Sequence, residues 1–481
     1  MVESKFLWSV EDFLAATGGR LEGPAPGGIS GVSIDSRTIE PGEAFIAIAG
    51  ERMDGHDFAA AALEAGASLA VVGQDRAGAI SARPLVVVAD PLEALRGLAR
   101  AARARSRARV IAVTGSVGKT GTKEALRAAL SPSGETHASE ASYNNQWGVP
   151  LSLARLPESA RFAVFEVGMN HAGEIKPLSK LIRPHIAIVT TVEPVHLANF
   201  ESIDKIAGAK AEIFEGLEPG GAAILNSDNN YFAYLSATSK VFGADTIIGF
   251  GHTKWAEARL EKVSLLADCS TATADIMGQK VTYKIGAPGQ HLVDNSLAVL
   301  AAVSLAGADL ALAALALASW SAPSGRGRRH VFRTPRGPVT VVDESYNANP
   351  ASMRAAIATL GRSEVAAGGR RIAVLGDMLE LGPNEAALHR DLAGPLGEAG
   401  IDLVFTVGRR MENLRDALER SVRAGHAERA GELEDTLLDE VRPGDVVMIK
   451  GSFATGLGVL VQGLERNLAA KYEMRAGSAG M

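Results

Sequence analysis

Cysteine is nearly absent: Cys269 is the only one in 481 residues. A single thiol forms neither an intrachain disulfide nor a cysteine-built zinc site, so no oxidising compartment is needed. Basic excess is missing too. Lys plus Arg number 49 against 55 Asp plus Glu, a net charge of −6, which argues against a general nucleic-acid binder. Aromatic residues make up only 5%, yet 47% hydrophobic and 22% charged residues are ordinary for a globular chain and exclude wholesale disorder. The first ten residues carry Glu3 and Lys5, and no apolar core followed by a small-residue cleavage site comes after them. These features predict a cytoplasmic protein with no secretion signal.

Long hydrophobic runs are also lacking. The one stretch that resembles a membrane span, 296–320, is split by Asp309 into uncharged runs 295–308 and 310–325, each shorter than the roughly 18 residues a span needs. The expectation is two buried helices, the first ended by Gly307 and the second capped by Asp309.

What the sequence does have is a recurring apolar run, turn and helical pattern. Runs at 110–113, 162–167, 186–189, 222–225, 339–342, 372–375, 403–407 and 446–449 are continuous rather than alternating, as expected of strands covered on both faces. They predict an α/β fold of three domains: an α+β unit over 1–88, a central parallel-sheet unit over 89–320, and a C-terminal α/β unit over 321–481 that ends in a loose tail from Ala476. The first boundary follows a strand near Leu85 and precedes an Arg-rich helix (Arg96, Arg100, Arg103, Arg105, then Arg107 and Arg109), which reads as a solvated face in preference to an anion site. The second falls in the Pro, Ser and Gly cluster after Ser321.

Chemistry concentrates first at Thr114-Gly115-Ser116-Val117-Gly118-Lys119-Thr120, between an apolar strand and a helical pattern. Glycines let backbone N–H groups turn toward phosphate oxygens, the helix N-terminus adds favourable dipole charge, Lys119 reaches the outer phosphates, and the Thr120 hydroxyl suits Mg²⁺. Val113 stands where the longer nucleotide loop has its first glycine, so the loop is a shortened variant. Three further residues lie at or beyond the next strand ends: Glu166, His196 and, on a following helix, Lys210. An acid leaving a parallel strand beside a phosphate loop lies where open α/β sheets bind ligands, which makes Glu166 a candidate Mg²⁺ ligand or simply a solvated strand-end acid. His196 and Lys210, taken alone, read equally as surface residues.

With these motifs in view the chain resembles the Mur ligase superfamily, ATP-dependent amide-forming enzymes of peptidoglycan precursor synthesis. The shortened loop is similar to that family's. Ile34-Asp35-Ser36-Arg37 and residues 41–56 resemble its UDP-sugar-binding N-terminal domain, and Tyr143-Asn144-Asn145 through Pro150 its paired-Asn segment. Asp343 through Pro350 and Gly376 through Gly382 resemble the members that add D-alanyl-D-alanine. Leu292 and Phe453 depart from the family pattern, which often has Asn and Arg there, whereas Asn295 is retained.

The resemblance implies that 1–88 binds a UDP-sugar, that 89–320 is a P-loop-type ATPase domain, and that 321–481 is Rossmann-like and receives the incoming dipeptide. It implies ATP and two Mg²⁺ ions as cofactors, with Thr120, Glu166, His196 and a carbamylated Lys210 as ligands. Asn295, Arg326 and Asp343 are expected at the nucleotide. Ser36, Arg37, Asn144, Asn145, Tyr346, Asn347 and Asn349 are expected at the substrates, although the last three also suit turns. The implied substrates are UDP-N-acetylmuramoyl-tripeptide and D-alanyl-D-alanine, joined by a chain expected to act as a monomer. The alternatives are a relative with another acceptor and a catalytically silent scaffold; phosphate release that needs both substrates separates them.

Overall fold

The computed structural model describes residues 6–50, 53–194, 199–334 and 337–477, with side chains as far as 468. Three sheets form among the described residues. In the first, β1 (Arg20–Glu22), β2 (Gly31–Ser33), β3 (Glu43–Ile46), β4 (Leu69–Gly73) and β5 (Leu85–Val88) pair in the order β1-β5-β4-β3-β2. All pairings are parallel except that of β1 with β5. Every residue of β3 and β4 is buried, because helices cover both faces and leave no room for alternating polar positions.

The helix Pro91–Arg105 joins this sheet to the next. Asp90 starts it by accepting from Leu92 N and Glu93 N, with Pro91 in the first turn. Its arginines only partly fit a solvated face. Arg96 and Arg100 face water beside Glu93. Arg103 is 6% exposed and donates to the carbonyls of Ile182 and Arg183 and to Glu218, whereas Arg105 lies over the Trp8 ring at 3.7 Å and donates to Leu7 O. Long stems let these guanidinium groups cross apolar surface and satisfy carbonyls that would otherwise be orphaned. The helix ends before Arg107, and Arg109 opens the next strand.

The central sheet contains β6 (Arg109–Thr114), β7 (Thr136–Ala138), β8 (Phe162–Glu166), β9 (Ile186–Val189), β10 (Gly221–Asn226), β11 (Ala244–Gly251), β12 (Ala258–Leu265), β13 (Ser270–Ile276) and β14 (Gln279–Ile285). Their order is β14-β13-β12-β11-β10-β9-β6-β8-β7. The sheet is parallel, as expected, from β7 through to β12, and β12, β13 and β14 form an antiparallel meander at one edge. β13 alternates buried and half-buried residues, so it never shows the continuous apolar run by which the other strands were legible.

The apolar stretch forms helices Gln290–Leu305 and Leu310–Ser319. Gly307 takes φ +71° between them, and Asp309 accepts from Ala311 N and Leu312 N. The first is buried continuously from Leu297 to Val303. The second is not a buried helix: Ala313 and Leu317 are covered, while Leu312 and Leu315 are 41% and 70% exposed, because it packs by one face only. No helix among the described residues is long and apolar enough to cross a membrane.

The third sheet has the order β15-β16-β20-β17-β18-β19, built from β15 (Arg328–Phe332), β16 (Val339–Glu344), β17 (Arg371–Gly376), β18 (Leu403–Val407), β19 (Arg423–Ala427) and β20 (Val446–Lys450). Only β15 is antiparallel to its neighbour. Separate apolar clusters cover its two faces. The last helix, Gly458–Gly477, includes Ala476, so the expected tail begins inside it; residues 478–481 lie outside the described ones.

Just before β9, His185 Nδ1 accepts from Val110 N at 2.9 Å. Burial, with the charges of Arg103 and Arg109, holds its pKa down at about 4. Between that value and the ordinary 6.5 the unfolded chain binds one more proton than the folded one. Stability should therefore fall as pH drops through this window, by up to about 1.4 kcal/mol per pH unit. Urea midpoints measured from pH 7 to pH 4 should show this acid-side slope, and His185→Gln should flatten it.

Candidate active site

β6 is flanked by β9 and β8, and its register sets Val113 opposite Glu166 and Thr114 opposite Val189. Loops leaving the ends of these three strands therefore meet at one crevice, where chain connections diverge to either side. Thr114, fully buried, ends β6. Gly115 follows at φ +148°, and a Cβ there would lie 1.9 Å from Thr190 Oγ1; at Gly118, φ +90°, it would lie 2.5 Å from Asn295 Nδ2. Only glycine lets the backbone pass so close.

The loop is tied to the strand after it. Ser116 N donates to Thr191 O, Ser116 Oγ to Glu193 O, and Thr190 Oγ1 to Val117 O. The helix Lys119–Leu130 then starts with its first N–H groups directed at the loop. Lys119 Nζ folds back onto Gly115 O at 2.7 Å and Ser116 O at 3.4 Å. Burial lowers its pKa from the usual lysine value, opposed by Glu166 and assisted by Arg326.

Glu166 is fully buried. Asn144 Nδ2 donates to its Oε1 at 2.7 Å, while Oε2 has no hydrogen-bond partner. A buried carboxylate oxygen left bare calls for a cation. Thr120 is 4% exposed, with Oγ1 3.5 Å from Ser142 Oγ. Lys210, on the helix Ile203–Ala211, is 2% exposed, and burial together with the Lys119 charge drives its pKa well below the usual value. His196 lies outside the described residues.

A cavity of about 410 Å³ collects most of these groups. Ser116, Val117, Gly118, Lys119, Asn144, Glu166 and Asn295 line it from the central sheet, and Arg326, Tyr346, Asn347 and Asn349 from the third. The Arg326 guanidinium sits 4.2 Å above the Tyr346 ring, which packs 5.4 Å from Phe453. Asn347 O accepts from Lys450 Nζ. Asn349 also serves as a turn residue, capping the helix Pro350–Gly361 with Ser352.

Other expected site residues lie elsewhere. Asp343 turns away from the cavity, its two oxygens taken by Ser324, Gly325 N and Ser345. The neighbouring Glu344 lines the cavity instead, because successive strand residues face opposite sides. Asn145 caps the helix Gly148–Ala154 through Trp147 N and Gly148 N. Ser36 and Arg37 belong to the first sheet's loops, where Arg37 pairs with Asp35 at 2.6 Å and stays 81% exposed. Sequence reasoning missed Ser142, His291, Glu344 and Lys450 on the cavity wall; Glu344 stands inside the string from Asp343 to Pro350, and Lys450 directly follows the apolar run 446–449, both at strand ends.

Comparison with known proteins agrees with the three-unit α/β fold. The sequence matches the Mur ligase family catalytic domain over 28–103, the Mur ligase middle domain over 113–303 and the Mur ligase glutamate ligase domain over 327–453. It is 33% identical over 442 residues to the UDP-N-acetylmuramoyl-tripeptide--D-alanyl-D-alanine ligase of Escherichia coli K12, covering 91% of this chain and 94% of that one. The protein of the same description from Rickettsia prowazekii is 32% identical over 430 residues, 89% of this chain and 94% of the relative. A crystal structure of MurF from Acinetobacter baumannii superposes with a TM-score of 0.82 at 30% identity, covering 95% of this chain and 98% of that one. MurF from Thermotoga maritima, solved in complex with ADP, shares the fold at a TM-score of 0.75 and 24% identity, covering 92% and 98%. The chain belongs to the Mur ligase family, in its UDP-N-acetylmuramoyl-tripeptide--D-alanyl-D-alanine ligase branch.

Proposed function

We propose that this chain joins D-alanyl-D-alanine to UDP-N-acetylmuramoyl-tripeptide at the expense of ATP, forming the pentapeptide precursor of peptidoglycan, ADP and phosphate. The observation that carries this reading is the convergence of Lys119, Glu166 and Arg326 on one cavity walled by the DESYNANP strand end, in a chain matching such ligases over about nine-tenths of its length.

A carboxylate has no good leaving group, so the tripeptide acid must first be activated. Its oxygen attacks the γ-phosphorus, ADP departs, and an acyl phosphate results. The dipeptide amine then attacks the acyl carbon; the C–N bond forms as the C–O bond to phosphate breaks, and the proton lost by the amine leaves with the phosphate. Lys119 neutralises the outer phosphate oxygens, with Arg326 facing it from the third sheet, so that the approach of one anion to another is not prohibitive. Asn295 holds the nucleotide beside Gly118, and Glu344 stands where Asp343 was expected. Asn144 fixes the rotamer of Glu166. Tyr346, Asn347 and Asn349 form the dipeptide side, Ser36 and Arg37 serve the uridine end, and Asn145 of the paired-Asn segment lies with Asn144 on the substrate side.

The residues present fit a magnesium site: Glu166 offers an unpaired oxygen, Thr120 a hydroxyl, and Lys210 a buried amine. Mg²⁺, when bound, supplies Lewis-acid charge neutralisation at the phosphates. An ammonium cannot ligate a cation, but burial disfavours the charged form of Lys210, and a neutral amine can add CO₂ and become an anionic oxygen donor. Carbamylated Lys210 and His196 complete the proposed ligand set for two ions. Enzyme equilibrated with ¹³C-bicarbonate should show a carbamate carbon resonance that Lys210→Ala removes; an unchanged spectrum would discard the modification.

The same reading assigns 1–88 to the UDP-sugar, 89–320 to ATP and 321–481 to the dipeptide, in a cytoplasmic monomer whose domains close before chemistry. Incubation with ATP, Mg²⁺, UDP-muramoyl-tripeptide and D-alanyl-D-alanine, followed by mass analysis, should give the pentapeptide. Phosphate release should need both peptide substrates. Absence of the joined product would overturn the assignment.

A further inference from the structure

Ser142 stands between Thr120, at the end of the phosphate loop, and Arg326, and a lysine with no part in the reaction holds the turn that carries it. The Lys123 side chain is fully buried. Its Nζ donates to Ser139 O at 2.5 Å and Ala141 O at 2.7 Å, and pairs with Glu124 at 2.7 Å. A buried ammonium needs acceptors of this kind, so the helix after the phosphate loop and the 139–142 turn are fastened together. Ala141 sits at φ +42°, a left-handed conformation that costs a residue with a Cβ about 1 kcal/mol or more. Such a turn persists because its surroundings fix it.

The turn delivers Ser142. Its Oγ accepts from Arg326 Nη2 at 3.1 Å and lies 3.5 Å from Thr120 Oγ1. One hydroxyl thus touches both the residue that follows Lys119 and the guanidinium that comes from the third sheet. A threonine that offers a lone pair to a cation must direct its single proton elsewhere, and Ser142 Oγ is the hydroxyl partner within reach. A serine oxygen has two lone pairs, enough for Thr120 and Arg326 together.

We propose that Ser142 is a positioning residue for phosphoryl transfer. Its oxygen accepts a hydrogen bond from the Thr120 hydroxyl, which leaves the threonine lone pairs for the metal, and anchors Arg326 over the phosphate loop. Lys123 keeps it there. This rests on the ligase reading for its kinetic consequence, but the effect on nucleotide binding does not depend on which acceptor is used.

The test compares Ser142→Ala and Ser142→Thr with the unaltered full-length enzyme. Ser142→Ala should lower kcat about tenfold with KM for D-alanyl-D-alanine changed less than twofold, and should raise the Mg²⁺ concentration needed for half-maximal rate. It should also shrink the thermal-midpoint shift produced by Mg²⁺ plus ADP while the midpoint of the free protein stays put. Ser142→Thr, which keeps the hydroxyl, should recover most of both effects. In an Arg326→Ala background, Ser142→Ala should cost clearly less than tenfold, because part of its action runs through that guanidinium. A full Mg²⁺·ADP shift in Ser142→Ala, or a loss strictly additive with Arg326→Ala, would overturn the proposal. Failure of the unaltered enzyme to make pentapeptide would instead overturn the ligase reading, and the nucleotide shift would still decide the role of Ser142.

Discussion

Lys119→Ala should reduce pentapeptide formation by about 10³-fold in kcat, the loss expected when a positive group aimed at a transferring phosphoryl is removed. The side chain already sits folded over Gly115 O and Ser116 O, so no rearrangement is needed to bring its charge to the loop. Lys119→Arg should not restore the rate, since a planar guanidinium cannot take the place of a compact ammonium there. The same residue sets a pH limit. Burial depresses its pKa, and the protonated form is the useful one. The rate should therefore fall as pH rises through a value below the ordinary lysine range. A rate profile of the enzyme free of nucleotide, kcat/KM for ATP against pH, measures this. Wild-type turnover by Lys119→Ala would remove the phosphate loop from the chemistry.

Glu166→Gln should lower kcat by about 10²-fold and sharply raise the Mg²⁺ requirement, because it replaces by an amide the one buried carboxylate oxygen left without a partner among the described residues. The fold should not suffer. A buried, half-satisfied carboxylate is costly without its cation, so the variant's thermal midpoint in EDTA should equal or exceed that of the unaltered protein. Glu166 also opposes the depression of the Lys119 pKa, so its neutralisation should move the alkaline limb to still lower pH. Titration of rate against Mg²⁺, melting in EDTA and a profile of rate against pH check these outcomes. A variant that melts much earlier would show that the carboxylate stabilises the fold.

Legibility followed physical cause. Strands covered on both faces, such as β6, β9 and β17, announce themselves as unbroken apolar runs, and the phosphate loop is written in glycines that no other residue can replace at Gly115 and Gly118. The β12–β14 meander was not legible, because one covered face leaves only a weak alternation among Ala, Ser and Thr. Arg103 was misread with its neighbours because charge patterns are local, while its carbonyl partners lie about 80 residues away. Asp343 and Glu344 illustrate a one-residue limit: the string marks the strand end, and only the pleat decides which acid faces the cavity. Ser142 carried no signal at all, since its partners Thr120 and Arg326 meet it only in three dimensions.

The short helix Gly148–Ala154 has a mechanical implication. Asn145, beside the residue that orients Glu166, caps its start; its far end receives Trp8 Nε1 on Ala154 O, and the adjacent Arg155 donates to Val32 O. One stiff rod thus joins the first sheet to the metal-side carboxylate. On the proposed assignment of the uridine end to the first sheet, a substrate whose reacting acid is required at the other end of the rod is gauged by the peptide between them. A stem one residue too short or too long would leave its carboxyl group out of register with the phosphorus.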